Sequence, residues 1–262
     1  MQGGLGNQLF CLAFARSVAL MNQGRVALDL STFGSDRYGH AFDLADMAFR
    51  LGDVRLVRRP LLSSRLTTAL MRAAPAPGYV SEGVPPASPE ILAALVARGR
   101  YFSGYWQDEA YVADPEGFIA LVRGAVSTRS RPASRSEVVI HYRTYKEEIR
   151  PDARRTPDAA YFRAALAEIE KRLGPVGGVR LVSDDPTLAL ERLGDVGREV
   201  EAPADGGAWA DMAVLLGARA LILTNSSFSW WGGFCGDAET VIYPRRDGFF
   251  HYPNPARRFV CL

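Results

Sequence analysis

The second half of this chain alternates short β-branched or aliphatic runs with longer amphipathic stretches, and few folds accommodate that pattern. EVVIHY (137–142), VRLVS (179–183), ALILT (220–224) and TVIYP (240–244) read as strands buried on both faces. Between the first two, residues 158–173 have helical spacing, with Tyr161, Phe162, Ala165, Leu166, Ile169 and Leu173 on one face. Thr156 is the expected N-cap of that helix, with Pro157 at its first position. Asp185-Pro186 opens a second helix in the same way, and Trp209, Met212, Leu215 and Leu216 mark a third. Strands interleaved with helices predict parallel sheets covered on both faces.

The first half is less regular. RVALDL (25–30) is a strand candidate, and APAPG (74–78) and VPPASPE (84–90) are Pro-rich loops. The polar stretch VSTRSRPASRS (126–136) reads as a linker. The expected fold is therefore α/β, with two doubly wound lobes, residues 1–130 and 131–262, and a cleft between them.

Composition excludes several classes of function. Lysine and arginine number 31 against 29 acidic residues, a net charge of +2, which gives no electrostatic case for nucleic acid. Cys11, Cys235 and Cys261 are too far apart for a disulfide framework or a zinc pair and read as small core residues. His40, His141 and His251 lack ligand spacing. No apolar run approaches the ~20 residues of a transmembrane span, and no signal peptide precedes the first motif. The expected location is the cytoplasm, with peripheral association at the inner face of the membrane left open.

Ligands of doubly wound sheets bind beyond the carboxyl ends of the strands. Three motifs share that position: HYRTYKEE (141–148) after EVVI, SDDP (183–186) after VRLV, and TNSSFSWWGG (224–233) after ALIL. Arg143 can hold a diphosphate with its planar fork, or pair with Glu147 or Glu148 on the surface. His141 either faces the same cleft or is a satisfied structural histidine. Asp184 and Asp185 can accept from a base or sugar or cap a helix, and two adjacent carboxylates make a poor metal site. Asn225, Ser226, Ser227 and Ser229 precede or open a helix whose N–H groups suit an anion, with Trp230 and Trp231 anchoring the turn in the core. The plainer alternative is a Ser/Asn cap with packed tryptophans.

GGLGNQLF (3–10) is a glycine-rich loop before a helix, and not a Walker loop, since no Gly-Lys-Ser/Thr follows. Only Met1 and Gln2 precede it, where a strand is expected to fix its inward end; this suggests a start placed too late or a trimmed chain.

GGLGNQLF, GYWQDEAY (104–111), HYRTYKEE, SDDP and NSSFSWWGG, in this order, resemble glycosyltransferase family 11, the inverting α-1,2-fucosyltransferases. The resemblance implies a GT-B arrangement of two Rossmann-like lobes and metal-independent activity without a cofactor. The donor it implies is GDP-fucose, and the acceptor a hydroxyl of a galactose-containing glycan. It also implies that His141 contacts guanine, Arg143 holds the β-phosphate, Asp184 accepts from the guanine N–H groups, and Ser226–Phe228 line the diphosphate. Gly4, Gly6, Asn7 and Gln8 would then face the sugar and the acceptor, with Asn7 the main contact.

Thr144 stands where the family has a second arginine, and Lys146 where it has an aspartate, so Lys146 is a candidate for restoring the lost charge. These departures leave open a different GDP-sugar, or a GDP-binding module without catalysis. The sequence does not identify the general base: Asp29, Asp36 and Asp43 are unranked candidates, and the leaving diphosphate is the alternative.

Overall fold

The computed structural model describes residues 3–31, 33, 41–58, 77–86, 88–128, 138–144, 157–202, 206–245 and 258–262. The expected contacts of Lys146, the Thr156 cap, Asp36, His40, His251 and most of the expected linker lie outside those residues. The chain divides into two compact units, Met1–Leu121 and Val122–Leu262. Both are α/β, and every strand pair is parallel.

The first unit opens with helix α1 (Leu5–Asn22), which is apolar around most of its circumference and correspondingly buried. Strand β1 (Val26–Asp29) pairs with β2 (Val54–Val57), with helix α2 (Ala45–Arg50) between them. Strand β3 (Tyr79–Ser81) pairs with β4 (Tyr101–Ser103) around helix α3 (Pro89–Arg98). Ser88 caps α3 by accepting from Ile91 N–H, and Pro89 fills the first turn, where no N–H is needed. A 3₁₀ turn at Glu109–Tyr111 leads to α4 (Pro115–Ser127). Buried Ser17 ties α1 to that turn: its hydroxyl donates to Tyr111 O and accepts from Ala113 N–H, both at 2.8 Å. Phe14, Trp106 and Tyr111 fill the core beneath.

The second unit is a six-stranded sheet in the order β10-β9-β8-β5-β6-β7. Its strands are β5 (Val138–Tyr142), β6 (Val179–Ser183), β7 (Val200–Glu201), β8 (Ala220–Ile222), β9 (Thr240–Tyr243) and β10 (Phe259–Cys261). The four strands expected from the sequence are its four central ones. All five residues of β5 are buried, as a central parallel strand requires. Helices α5 (Ala159–Leu173), α6 (Pro186–Leu193), α7 (Ala208–Gly217) and α8 (Ser227–Cys235) supply the crossovers.

The α5 face is the one expected: Phe162, Ala165, Leu166 and Ile169 are buried, and Tyr161 and Leu173 pack at its margin. Its cap is Asp158, whose carboxylate accepts from Tyr161 N–H at 3.1 Å. Pro157 thus precedes the helix and is not its first residue. Asp158 outcompetes the expected arrangement because a carboxylate at the N-cap also meets the positive end of the helix dipole.

Strand order fixes where a ligand would bind. From β5 the chain builds outward through β6 and β7, then returns to β8 on the other side of β5 and builds outward through β9 and β10. The order reverses between β5 and β8, so the crevice of this sheet lies beyond their carboxyl ends.

Candidate active site

The tips of β5, β6 and β8 are bonded to one another. Arg143 N–H donates to Thr224 Oγ1 at 3.1 Å, joining β5 to β8. Thr144 N–H donates to Asp184 Oδ1 at 2.8 Å, joining β5 to β6. The other oxygen of Asp184 lies 3.3 Å from Arg143 Nη1. The Arg143 side chain is 36% exposed and that of Asp184 17%, so the guanidinium sits at an open rim on a more enclosed carboxylate. Arg143 therefore lies beside the serine-bearing turn, at the switch point of the sheet.

The two adjacent aspartates divide the work. Asp184 braces the β5 tip, while Asp185 caps α6 by accepting from Leu188 N–H at 3.1 Å, with Pro186 next. The backbone of Thr144 is used twice, since its carbonyl also accepts from Arg192 Nη1 at 3.2 Å. Its side chain is buried, and Oγ1 has no hydrogen-bond partner among the described residues. At position 144 this chain therefore contributes its main chain to the strand tips.

The serines of the turn also divide. Ser226 is the N-cap of α8, and its hydroxyl accepts from Phe228 N–H at 3.3 Å, which leaves the hydroxyl proton to donate. The N–H groups of Ser227 and Ser229 have no partner within a helix that starts at Ser227, and Ser227 is only half-buried. Asn225 is buried just before the cap. Ser229 is fully buried: its hydroxyl meets Thr224 O at 3.2 Å and His141 Nδ1 at 2.6 Å. The hydroxyl thus sits between a carbonyl and a ring nitrogen, and the tautomer of His141 decides which of the two it donates to. The ring lies 5.4 Å from that of Phe228.

Trp230 and Trp231 are wholly buried, and Trp230 stacks on Phe234 at 4.5 Å. The next residue must be glycine for α8 to lie against α7, since a Cβ at Gly232 would come within 2.8 Å of the Leu215 side chain. The tryptophans and the glycine thus fix the angle at which the first turn of α8 meets the strand tips.

Burial, and secondarily the Arg143 charge, push the pKa of His141 down from 6.5 to about 4. The histidine is neutral when folded, whereas the unfolded chain takes up a proton as pH drops below about 6.5. Stability should therefore be full above that pH and should fall by on the order of 3 kcal/mol as pH is lowered toward 4. Urea melts between pH 7 and 4 would show this slope, and His141→Gln should flatten it. An unchanged slope in that variant would assign the loss to other groups.

In the first unit, Gly3 adopts a left-handed φ of 89°, Gly4 is the uncapped N-cap of α1, and Gly6 is buried in its first turn. Asn7 is half-buried and accepts from Gln107 Nε2 at 2.7 Å. Gln8, expected to face the sugar, is instead fully buried. It donates to Gly3 O and Ala41 O and accepts from Asp43 N–H, so its amide holds the loop before α2. An amide with these three partners satisfies buried backbone groups that would otherwise be costly. The Asp29 carboxylate accepts from both the N–H and the hydroxyl of Ser31.

Sequence reasoning missed Thr224 as the acceptor for Arg143, Arg192 as the clamp on Thr144, and Gln107 as the partner of Asn7. Thr224 and Gln107 lay within quoted motifs, and Arg192 lay outside them. Among the described residues no group of three or more His, Cys, Asp or Glu could hold a metal ion, and no helix is long and apolar enough to cross a membrane.

Among solved structures, an E. coli heptosyltransferase WaaC with ADP-2-deoxy-2-fluoro heptose matches at 12% identity and TM-score 0.47, over 97% of this chain and 90% of that one. POFUT1 in complex with GDP-fucose matches at 13% identity and TM-score 0.43, over 90% and 93%. No curated protein matches the chain. Residues 138–246 match the family model of glycosyl transferase family 11, and that segment contains every element that meets at the β5, β6 and β8 tips. Residues 138–246 are therefore similar to the same family that the order of the motifs suggests.

Proposed function

We propose that the chain is an inverting, metal-independent fucosyltransferase that moves fucose from GDP-fucose to the 2-hydroxyl of a galactose in a glycan acceptor. It would work in the cytoplasm, peripherally at the inner face of the membrane. The observation that carries this reading is that Arg143 pairs with Asp184 and bonds through its backbone to Thr224, just before the Ser226–Ser227 turn, at the switch point of a sheet inside the segment that matches family 11.

The chemistry follows from charge. As the glycosidic bond breaks, the sugar becomes oxocarbenium-like and negative charge grows on the departing diphosphate. Groups fixed in advance and aimed at that charge stabilise the transition state more than the ground state. The Arg143 guanidinium, braced by Asp184, and the donors at the first turn of α8 take that role. His141, Asn225 and Phe228 line the nucleotide side, and Ser229 acts through His141. Lys146 supplies a further cation to the diphosphate. Asn7 and the glycine loop around Gly4 and Gly6 serve the sugar.

GDP release in the presence of a galactoside, compared between GDP-fucose and GDP-mannose, tests the reading. Faster release from GDP-fucose, with inversion at the anomeric carbon, is expected. A preference for GDP-mannose would favour the second reading, a transferase for another GDP-sugar, which rests on Thr144 occupying the arginine position. Turnover of neither donor would overturn both.

A further inference from the structure

The stretch around Gln107 has no part in the strand-tip site, yet it is fastened to Asn7 across one hundred positions of sequence by the 2.7 Å bond from Gln107 Nε2 to Asn7 Oδ1. The loop is shaped around that bond. The Glu82 carboxylate accepts from Tyr105 N–H at 2.7 Å with one oxygen and from Gln107 N–H at 2.9 Å with the other. Gly104 leaves room for that carboxylate, since a Cβ there would fall 2.4 Å from the Glu82 Cβ. Between the two clamped amides, Trp106 is held at φ 60°, a conformation bulky residues avoid. Its ring is buried and stacks on Phe14 of α1 at 4.0 Å. On the other side, Asn7 Nδ2 would lie 2.6 Å from a Cβ at position 3, so Gly3 is required there as well.

Backbone strain and two close approaches thus secure a pair of primary amides side by side, each half-buried. The bond between them uses Asn7 Oδ1 and one proton of Gln107 Nε2. What it leaves on the two joined amides is a donor, Asn7 Nδ2, and an acceptor, Gln107 Oε1. A hydroxyl fits that pair, because it accepts from the first and donates to the second.

We propose that the juxtaposed amides of Asn7 and Gln107 bind a sugar hydroxyl, with Gln107 as a specificity-determining contact and Glu82 as its positioning residue. The proposal rests on the glycosyltransferase reading and assigns the first unit its part in it. The hydroxyl belongs either to the acceptor galactose or to the transferred fucose, which share this chemistry.

The test uses saturation-transfer NMR of galactose and of L-fucose with the full chain, in wild type, Gln107→Ala, Gln107→Glu and Glu82→Gln. Wild type should give a signal with one of the two sugars. Both Gln107 variants should bind that sugar about tenfold more weakly, the loss of one or two hydrogen bonds. Glu82→Gln, which keeps one of the two clamps, should fall between. In turnover, loss of galactose binding should raise the acceptor KM and leave the donor KM unchanged, whereas loss of L-fucose binding should raise the donor KM. GDP affinity by calorimetry should not change in any variant. Equal sugar signals in wild type and variants, or none in wild type, would overturn the proposal. Failure of wild type to bind GDP would instead sink the donor reading, and the sugar signals would still decide this one.

Discussion

Replacing Arg143 with alanine is expected to lower turnover from GDP-fucose by about 10²–10³-fold, the ~2.7–4 kcal/mol lost when one preorganised donor to a developing anion is removed. The fold should survive. The bond that joins β5 to β8 at this residue is made by its backbone N–H, which the substitution leaves in place. The ion pair with Asp184 is partly exposed, and pairs of that kind contribute only ~0–1 kcal/mol to stability. Arg143→Lys should recover part of the loss, since an ammonium restores charge but not the planar fork. The measurement is kcat with saturating donor, alongside a urea melt. Near-normal turnover in the alanine variant would remove Arg143 from the chemistry.

A comparably large effect, on stability, is expected from Trp230→Ala. The side chain is wholly buried between Trp231 and Phe234. Its removal should cost ~3–5 kcal/mol, a large share of the ~5–15 kcal/mol that holds a typical domain together. Trp230→Phe keeps the aromatic contact and should cost less. Chemical denaturation separates the two, and a loss below about 1 kcal/mol for alanine would place it with ordinary surface changes and refute the anchoring role. GDP binding should decline with the folded fraction, because this anchor sets the orientation of the first turn of α8.

The central sheet of the second unit was legible from sequence because each of its four inner strands is a short run dominated by β-branched or aliphatic residues, and the intervening helices carry a clear 3.6-residue period. The outer strands were not. Residues 200–201 and 259–261 form strands too short to produce a pattern, and they pair only because the neighbouring edge is available. The first unit was obscure for the same reason, since its strands are three or four residues long and half-exposed.

At the site, the motifs gave the right loops, and the division of labour within them needed coordinates. Asp184 and Asp185 are equivalent as letters, yet one braces Arg143 and the other caps a helix. Ser226 and Ser229 differ only in helical phase, which turns the first to the cap and the second back to His141. Gln8 and Asn7 are neighbours with similar chemistry, but successive helix positions point some 100° apart, and Gln8 faces inward.

Thr144 holds the β5 and β6 tips through its peptide unit alone, with N–H to one carboxylate and carbonyl to one guanidinium. Mutational drift at this codon can therefore exchange the side chain without dismantling the frame around it. Such a position lets the side chain vary while the supporting architecture stays constant.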